Sequence, residues 1–284
     1  MATVRRVLAP NPGPFTGPGT NTWLVGDGPA LILIDPGPDS SEHRSAIAER
    51  LGAAALGLIL VTHGHPDHLE GAERLGRDHH CRVTRYPELA DSDVVRVGGL
   101  ALTAIFTPGH AGDHLAFWMP DDRVLFCGDL ILGQGSSVVA WPEGDMAAYL
   151  HSLQRVMELA PRILFPGHFD PVLDGPAKIA EYRAHRLQRE AAVRAALDPA
   201  PRDVATITEL VYASELAGHA DREALMRAAS ASVRAHLEKL VAEGAARAVV
   251  AEGADLAWVS TSAPSDPPSG ALPSGPAPAH SPSP

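Results

Sequence analysis

Short apolar runs alternate with polar, glycine-rich or proline-rich segments along the first two thirds of the chain. Each run has the length of a strand and is bounded by turn residues, so it predicts a buried or half-buried strand. These strands are predicted at residues 21–25, 30–34, 56–62, 82–86, 93–97, 100–107, 114–119, 123–127 and 162–165. Apolar positions spaced three or four residues apart predict helices at residues 41–51, 69–75, 146–159 and 177–197. The mixture of strands and helices predicts a fold of the α/β (α+β) class.

Four of the predicted strands stop at side chains that can bind a metal. The first is followed by His63, and the others by His110, Asp129 and His168. A single histidine after a strand is more often a turn residue or a satisfied polar group than a ligand. However, α/β proteins place their sites in loops at the carboxyl ends of strands, and four repeats of one layout make coincidence a poor explanation. The layout therefore predicts one shared site.

The segment VTHGHPDH, residues 61–68, concentrates four possible ligands, which are His63, His65, Asp67 and His68. Imidazole and carboxylate groups suit a divalent cation such as zinc, and iron or manganese would also accept them. An open catalytic zinc site takes about three protein ligands, so four donors on one loop predict two metals that share ligands. The alternative is a polar surface loop that is rich in histidine by chance.

Two further groups of polar residues remain open between a structural and a functional role. Asp35 follows another predicted strand, where it would either orient a ligand histidine from behind or simply form a turn. Arg183, Arg186 and Arg189 lie on neighbouring ridges of the helix predicted at residues 177–197. They would form either a basic wall that receives an anionic substrate group or an ordinary solvated helix face.

The composition limits the classes of partner. The chain has 284 residues, of which 45% are hydrophobic, and this suffices for one large domain and a smaller one. A net charge of −11 argues against attraction of the whole protein to nucleic acid or anionic lipid. Two cysteines without a CxxC pair fit a reducing compartment, and neither a secretory signal nor a membrane-spanning run is evident. We therefore expect a cytoplasmic protein without a membrane partner, and the oligomeric state stays open.

Residues 198–262 predict a second, smaller domain. Its pattern is helix, helix and β-hairpin, which is typical of a winged helix; the helices are predicted at residues 206–213 and within 223–243, and the strands at 245–250 and 257–259. Residues 202–262 carry six Lys or Arg against nine Asp or Glu, so we expect no binding to duplex DNA. Residues 263–284 are rich in proline, serine, glycine and alanine and are predicted to be disordered.

Taken together, the segments THGHPDHLEGA, TPGHAGDHLAFW, FCGDLILGQGSS and LFPGHFDPV resemble the successive metal-binding segments of the metallo-β-lactamase superfamily. TNTWLVG and LILIDPG extend the resemblance to about residues 18–190. It implies an αββα sandwich, two sheets face to face with helices outside, as the catalytic domain over residues 1–197. The implied ligands of one metal are His63, His65 and His110, those of the second metal are Asp67, His68 and His168, and Asp129 bridges the two.

The resemblance also implies an activity. GDLILGQGSS and EYRAHRLQRE look like a subgroup similar to a mitochondrial single-strand endoribonuclease, whose members also carry a small C-terminal winged-helix domain. We expect a hydrolase with two zinc ions per chain and a hydroxide between them. Asp129 would position this bridge, and Asp67 would orient the hydroxide and accept its proton.

The substrate is open between classes. The acidic overall charge favours an ester or thioester hydrolase that acts on a small-molecule or carrier-bound acyl group. The subgroup resemblance and the arginine-rich helix favour an endoribonuclease that cleaves single-stranded RNA. A third hypothesis is a non-enzymatic winged-helix regulator that uses the metal site as a sensor. It would require a basic recognition helix, which residues 223–243 do not supply.

Overall fold

Two five-stranded sheets form the centre of the molecule. The computed structural model describes residues 2–218, 221–250 and 256–261. The tail predicted to be disordered at residues 263–284 lies outside them. Each sheet carries helices on its outer face, so the predicted α/β class and the αββα layering are confirmed.

The first sheet has its strands in chain order. Antiparallel pairs join the first three strands and parallel pairs join the last three. Its strands are β1 (Val4–Leu8), β2 (Asn21–Val25), β3 (Ala30–Ile34), β4 (Ala55–Leu60) and β5 (Arg82–Thr84). The helices of this half are α1 (Ser41–Leu51), α2 (Pro66–Leu69) and α3 (Ala72–Asp78). The single helix predicted at residues 69–75 is therefore two short helices, and β1 was not predicted.

The second sheet also has its strands in chain order. Its pairs are antiparallel except for the last two strands, which are parallel. The strands are β6 (Val94–Val97), β7 (Leu100–Phe106), β8 (Leu115–Met119), β9 (Val124–Gly128) and β10 (Ile163–Pro166). Helices α4 (Met146–Leu159) and α5 (Gly175–Ala195) cover its outer face. Each begins at an aspartate, Asp145 or Asp174, whose side chain accepts a backbone N–H of the first turn.

Alternation along the strands separates the layers of the core. In β3, Ile32 and Ile34 point between the sheets, whereas Leu31 and Leu33 pack under α1 and α3. The inner layer receives Trp23 from the first sheet and aromatic side chains from the second. Because both faces of each sheet are covered, the strands are almost entirely apolar, and polar side chains concentrate at the strand ends.

The last third of the chain packs against α5. Its elements are β11 (Arg202–Asp203), α6 (Val204–Val211), α7 (Ala213–Leu216), α8 (Arg222–Ala242), β12 (Ala246–Val250) and β13 (Leu256–Ser260). The three strands form a sheet in the order β11-β13-β12. Val193 at the end of α5 shares one apolar cluster with Trp258 and the buried face of α8. The winged-helix assignment and the boundary at residue 198 remain predictions. Within the described residues no helix combines the length and the apolar character that a membrane span requires.

Candidate metal centre

The predicted metal-binding side chains come from the ends of four strands in two sheets. His63 and His65 lie in the loop after β4, and Asp67 and His68 follow in α2. From the second sheet, the loop after β7 carries the fifth donor, the turn after β9 the sixth, and the turn after β10 the seventh. These donors are His110, Asp129 and His168. The structure brings all seven predicted positions together.

The first group consists of three histidines. Nδ1 of His65 lies 2.9 Å from Nε2 of His63 and 3.0 Å from Nε2 of His110. His63 is buried, and His65 is partly exposed at the mouth of the site. Three ring nitrogens that converge in this way have the layout of three protein ligands around one cation.

The second group of donors, which consists of Asp67, His68 and His168, lies next to the first. Oδ2 of Asp67 lies 3.3 Å from Nε2 of His168 and 3.4 Å from Nε2 of His68. Asp129 stands between the groups, because its carboxylate lies 3.5 Å from His68, 3.4 Å from His168 and 3.7 Å from His110. Asp129 is therefore the one carboxylate with short contacts to both sets of histidines among the seven predicted positions.

The outward nitrogen of each ring is held by a hydrogen-bond acceptor. Nδ1 of His110 donates to the carbonyl oxygen of Val138 at 2.6 Å, and Nδ1 of His168 lies 3.3 Å from that of Gly19. Nδ1 of His68 lies 2.9 Å from Oδ2 of Asp35. A carbonyl or carboxylate accepts only, so the outward nitrogen carries the proton and the inward Nε2 of a neutral ring presents a lone pair.

The two remaining rings follow the same rule. The hydroxyl of Thr62 donates to Asp35 at 2.9 Å, so its oxygen accepts from Nδ1 of His63 at 3.0 Å. Nε2 of His65 lies 3.0 Å from Oε1 of Glu143. The sequence did not single out Glu143, because its place depends on the path of loop 133–145, the segment between the turn after β9 and helix α4.

These contacts fit a bound cation. Nδ1 of His65 and Nε2 of His110, the ring nitrogens that face the centre, lie 3.0 Å apart, an arrangement that a positive charge between them stabilises. Nε2 of His68 and Oδ1 of Asp129 are buried and have no hydrogen-bond partner within the described part of the chain. Buried polar atoms without partners are rare in proteins, so two of them facing one space fit a ligand such as a metal ion.

The charges around the site divide the histidines into two sets. The carboxylate of Asp129 raises the pKa of His68 and raises that of His168 to about 9, against the effect of burial, so a cation bound there would have to displace these protons. Burial lowers the pKa of His63 well below its ordinary value and also lowers the pKa of His110. Burial alone would raise the pKa of Asp129, but His68 and His168 hold it well below the usual range. Neutral imidazole and ionised carboxylate are the forms that bind a divalent cation.

His114 is a buried residue that the sequence analysis did not assign to the site. Its Nδ1 lies 2.8 Å from Oγ1 of Thr107, and its Nε2 accepts the backbone N–H of Asp129 at 3.2 Å. Burial lowers its pKa to about 3, so the ring is neutral and can accept that bond. It thereby fixes the backbone at the carboxylate that stands between the two groups. Its position directly before the buried strand β8 gives no sequence signal for this contact.

Gly167 leaves space that the centre needs. A Cβ atom at this position would lie 2.4 Å from Oδ1 of Asp129 and 2.6 Å from Cε1 of His68. Both distances are shorter than van der Waals contact. Any side chain here would therefore displace two of the seven predicted ligands.

A cavity of about 350 Å³ lies beside the loop that holds His110, and its lining contains none of the seven predicted ligands. One wall is loop 133–145, where the hydroxyl of Ser137 donates to the backbone carbonyl of Asp129 and lies 3.4 Å from Nδ1 of His110. Arg186 and Arg189 of α5 also line the cavity. Arg183 is exposed and is not among the lining residues. The three predicted arginines therefore do not form one continuous basic wall.

Comparison with known proteins identifies the family. The model of the metallo-beta-lactamase superfamily matches residues 15–92 and 87–168, which is more than half of the chain. A "Beta-lactamase-like protein 2 homolog" of Caenorhabditis elegans is 38% identical over 66% of this chain and 68% of its own length. An "Atrochrysone carboxyl ACP thioesterase" of Aspergillus chevalieri is 38% identical over 68% of this chain and 65% of its own length.

A solved structure extends the similarity to the last third of the chain. The crystal structure of a metallo-beta-lactamase family protein from Thermus thermophilus has 25% identity and a TM-score of 0.70. The match covers 90% of this chain and 98% of that one. The predicted superfamily is thus confirmed by sequence and by fold. We conclude that this chain is a hydrolase of the metallo-beta-lactamase superfamily.

Proposed function

We propose that the protein is a hydrolase that acts on an ester or thioester and holds two divalent cations, preferably zinc. The observation that carries the proposal is the convergence of seven donors from four strand ends, with the outward nitrogen of every ring already held. We assign His63, His65 and His110 to one cation. Asp67, His68 and His168 are assigned to the other, with Asp129 shared.

The two cations would supply Lewis acidity, which polarises the scissile carbonyl and makes water nucleophilic near neutral pH. In hydrolysis of a thioester, water adds a C–O bond to the acyl carbon, the C–S bond breaks, and the proton of the water ends on the thiol. Of the two carboxylates, Asp67 is the more exposed, so it is the one that can accept this proton from an approaching water. The hydroxyl of Thr20 lies 3.1 Å from its Oδ2 and orients it.

The choice of an acyl substrate rests on the surroundings of the centre. A relative is named as an acyl-carrier thioesterase, and the adjoining cavity is small and partly apolar. RNA would need an exposed basic track that follows its backbone. On α5, Arg186 is buried and Arg189 is paired with Glu215, so the helix does not offer such a track. The free cysteines Cys81 and Cys127 suit the cytoplasm, where we place the protein.

The test combines elemental analysis with a substrate panel. We expect two zinc ions per chain, loss of activity on chelation, and turnover of thioesters above that of lactones, phosphodiesters and single-stranded RNA. Asp129→Ala should bind fewer than two ions and lose most of the activity. Full activity and full zinc content in this variant would refute the shared-ligand assignment, and RNA cleavage without ester turnover would refute the substrate class.

A further inference from the structure

The cavity beside the metal centre has walls from both parts of the chain. Loop 133–145 contributes Ser137 and Val138, whose backbone carbonyl holds His110. The opposite wall consists of Leu225, Ala228 and Ala229 of α8. His110 contacts both of these loop residues, so one proposed metal ligand separates the cavity from the metal centre. Its volume of about 350 Å³ falls in the range of small-molecule sites.

Arg186 is the unusual residue of this cavity. Its side chain is only 3% exposed, yet it forms no ion pair with any carboxylate of residues 2–218, 221–250 and 256–261. One guanidinium nitrogen donates to the backbone carbonyl of Ser137, and the group lies 5.3 Å from the ring centre of Tyr149. Its Nε atom has no hydrogen-bond partner among the described residues. A buried cation without an anion is costly, so proteins keep one mainly where a ligand completes it.

Arg189 shows the contrast on the same helix. It lines the same cavity but is neutralised by Glu215 at 2.8 Å and stacks on the ring of Tyr212 at 3.9 Å. The charge left uncompensated at the cavity is therefore that of Arg186. Ser232 adds a hydroxyl, 8% exposed as a residue, that also lacks a partner within the described part of the chain. The rest of the lining mixes apolar side chains of α8 with polar ones such as Ser136 and His185, so it suits a short ligand that carries one anionic group.

We propose that this cavity binds an anionic oxygen group of the substrate, a carboxylate or a phosphate, through the guanidinium of Arg186 while the scissile acyl carbon lies at the metal centre. The inference rests on the proposed acyl hydrolase function and narrows its substrate class. A carboxylate would belong to the acyl group, as in a thioester of a dicarboxylic acid. A phosphate would belong to the thiol carrier.

Matched substrate pairs separate these two sources. Succinyl and butyryl thioesters of N-acetylcysteamine differ mainly in a carboxylate on the acyl group. Butyryl thioesters of phosphopantetheine and pantetheine differ in a phosphate on the carrier. We expect the zinc-loaded wild type to prefer the anionic member of one pair by about 10- to 100-fold in kcat/KM, the range of a hydrogen-bonded charge pair. The pair that shows the preference identifies the source.

Variants of α5 then test the residue. Arg186→Gln should remove the preference, mainly through a higher KM for the anionic member, while the neutral member changes by less than about threefold. Arg186→Lys keeps the charge and should retain part of the preference. Arg183→Gln, on the exposed side of the same helix, is the matched control and should behave as the wild type. Equal losses for both members of a pair in Arg186→Gln would show a purely structural role and overturn the proposal.

A binding measurement keeps this test separate from that of the proposed function. Succinate and inorganic phosphate are titrated into zinc-loaded wild type, Arg186→Gln and Arg183→Gln, and the shift in melting temperature is recorded. At least one anion should stabilise the wild type and the control but not Arg186→Gln. If no ester is hydrolysed, the proposed function fails while this shift still decides on the anion site. No shift and no anionic preference in the wild type would overturn the site even if Arg186→Gln does not fold.

Discussion

Nδ1 of His68 lies 2.9 Å from Oδ2 of Asp35, and both side chains are almost completely buried. Asp35 also accepts the backbone N–H of Thr62 at 2.8 Å and its hydroxyl at 2.9 Å. One carboxylate therefore fixes the ring of a proposed ligand and the start of the segment, loop and α2, that carries four of them. The positive φ of 54° at Asp35 turns the chain so that its side chain faces that loop.

Asp35→Asn should lower the affinity for divalent cations. The amide no longer offers two accepting oxygens, so the orientation and the basicity of His68 both suffer, and we expect zinc affinity to fall by about 10- to 100-fold. Competition with a chromophoric chelator measures this affinity, and circular dichroism checks the fold. Asp39→Asn, at an exposed position nearby, should leave it unchanged. Unaltered zinc affinity in Asp35→Asn would show that Asp35 serves the turn alone.

Glu143→Gln should weaken the site formed by His63, His65 and His110. The carboxylate of Glu143 lies on the solvent side of His65 and is itself 61% exposed. We therefore expect zinc affinity to fall by only about 10-fold, the low end of the range for groups that orient a metal ligand. Stepwise titration of zinc into the metal-depleted protein resolves the two sites. The zinc site that contains His65 should lose affinity, and the other zinc site should change less. Glu49→Gln, an exposed glutamate of α1, is the control, and a change of equal size there would contradict the assignment.

Gly167→Ala should damage the centre although it removes no donor atom. The added Cβ would lie 2.4 Å from Oδ1 of Asp129, so the carboxylate or the turn after β10 must move. We expect fewer than two zinc ions per chain and at least about a 10-fold loss of activity, because small displacements of groups in an active site lower the reaction rate strongly. Elemental analysis and the thioester assay measure both. Gly135→Ala would not serve as a control because its φ of 72° disfavours a side chain. Gly112→Ala, whose Cβ meets nothing within 4 Å, is suitable and should retain both properties.

Glu190→Gln should lower stability in a pH-dependent way. Glu190 of α5 lies 2.9–3.0 Å from Nζ of Lys239 and close to His236, both on α8. Its side chain is 10% exposed. The neighbouring His236 ring, 3.7 Å away, and next the ammonium group of Lys239 lower the pKa of Glu190 from 4.5 to about 2. Because the pKa is lower in the folded state, the stabilisation is complete above pH 4.5 and disappears as the pH falls towards 2.

Urea unfolding at pH 7 and pH 3.5 measures this difference. We expect Glu190→Gln to lose roughly 2–3 kcal/mol of unfolding free energy at pH 7 and clearly less at pH 3.5. Glu181→Gln is the control on the same helix, since Glu181 is 62% exposed and its pair with Lys178 contributes little. A loss that is equal at both pH values would contradict the ionic origin of the effect.

The sequence alone predicts those strands and donor positions that depend on the local pattern of apolar residues. Continuous apolar runs such as β3 and β9 are buried on both faces, and their ends mark where the polar donors stand. β1 was missed because Val4–Leu8 is an edge strand with two arginines and only one buried position. A helix predicted through residues 69–75 is interrupted because Gly71, whose N–H bonds to the carbonyl of Gly37, separates α2 from α3.

The sequence was insufficient for what depends on packing between distant segments. Arg183 and Arg186 are three residues apart on one helix, yet α8 and loop 133–145 bury only the second. Glu143 meets His65 across 78 positions, and His114 reaches Asp129 through the backbone rather than through a motif. Such contacts follow from the path of loops in space, which no residue spacing encodes.

The proposed ligands are divided between the two sheets. Four of them follow β4 in the first sheet, and three follow strands of the second. Cations held by both sets would add coordination bonds between halves that otherwise adhere through apolar contacts. Either half could then detach only after releasing metal, so occupancy would merge them into one cooperative folding unit and make resistance to heat a function of free metal concentration.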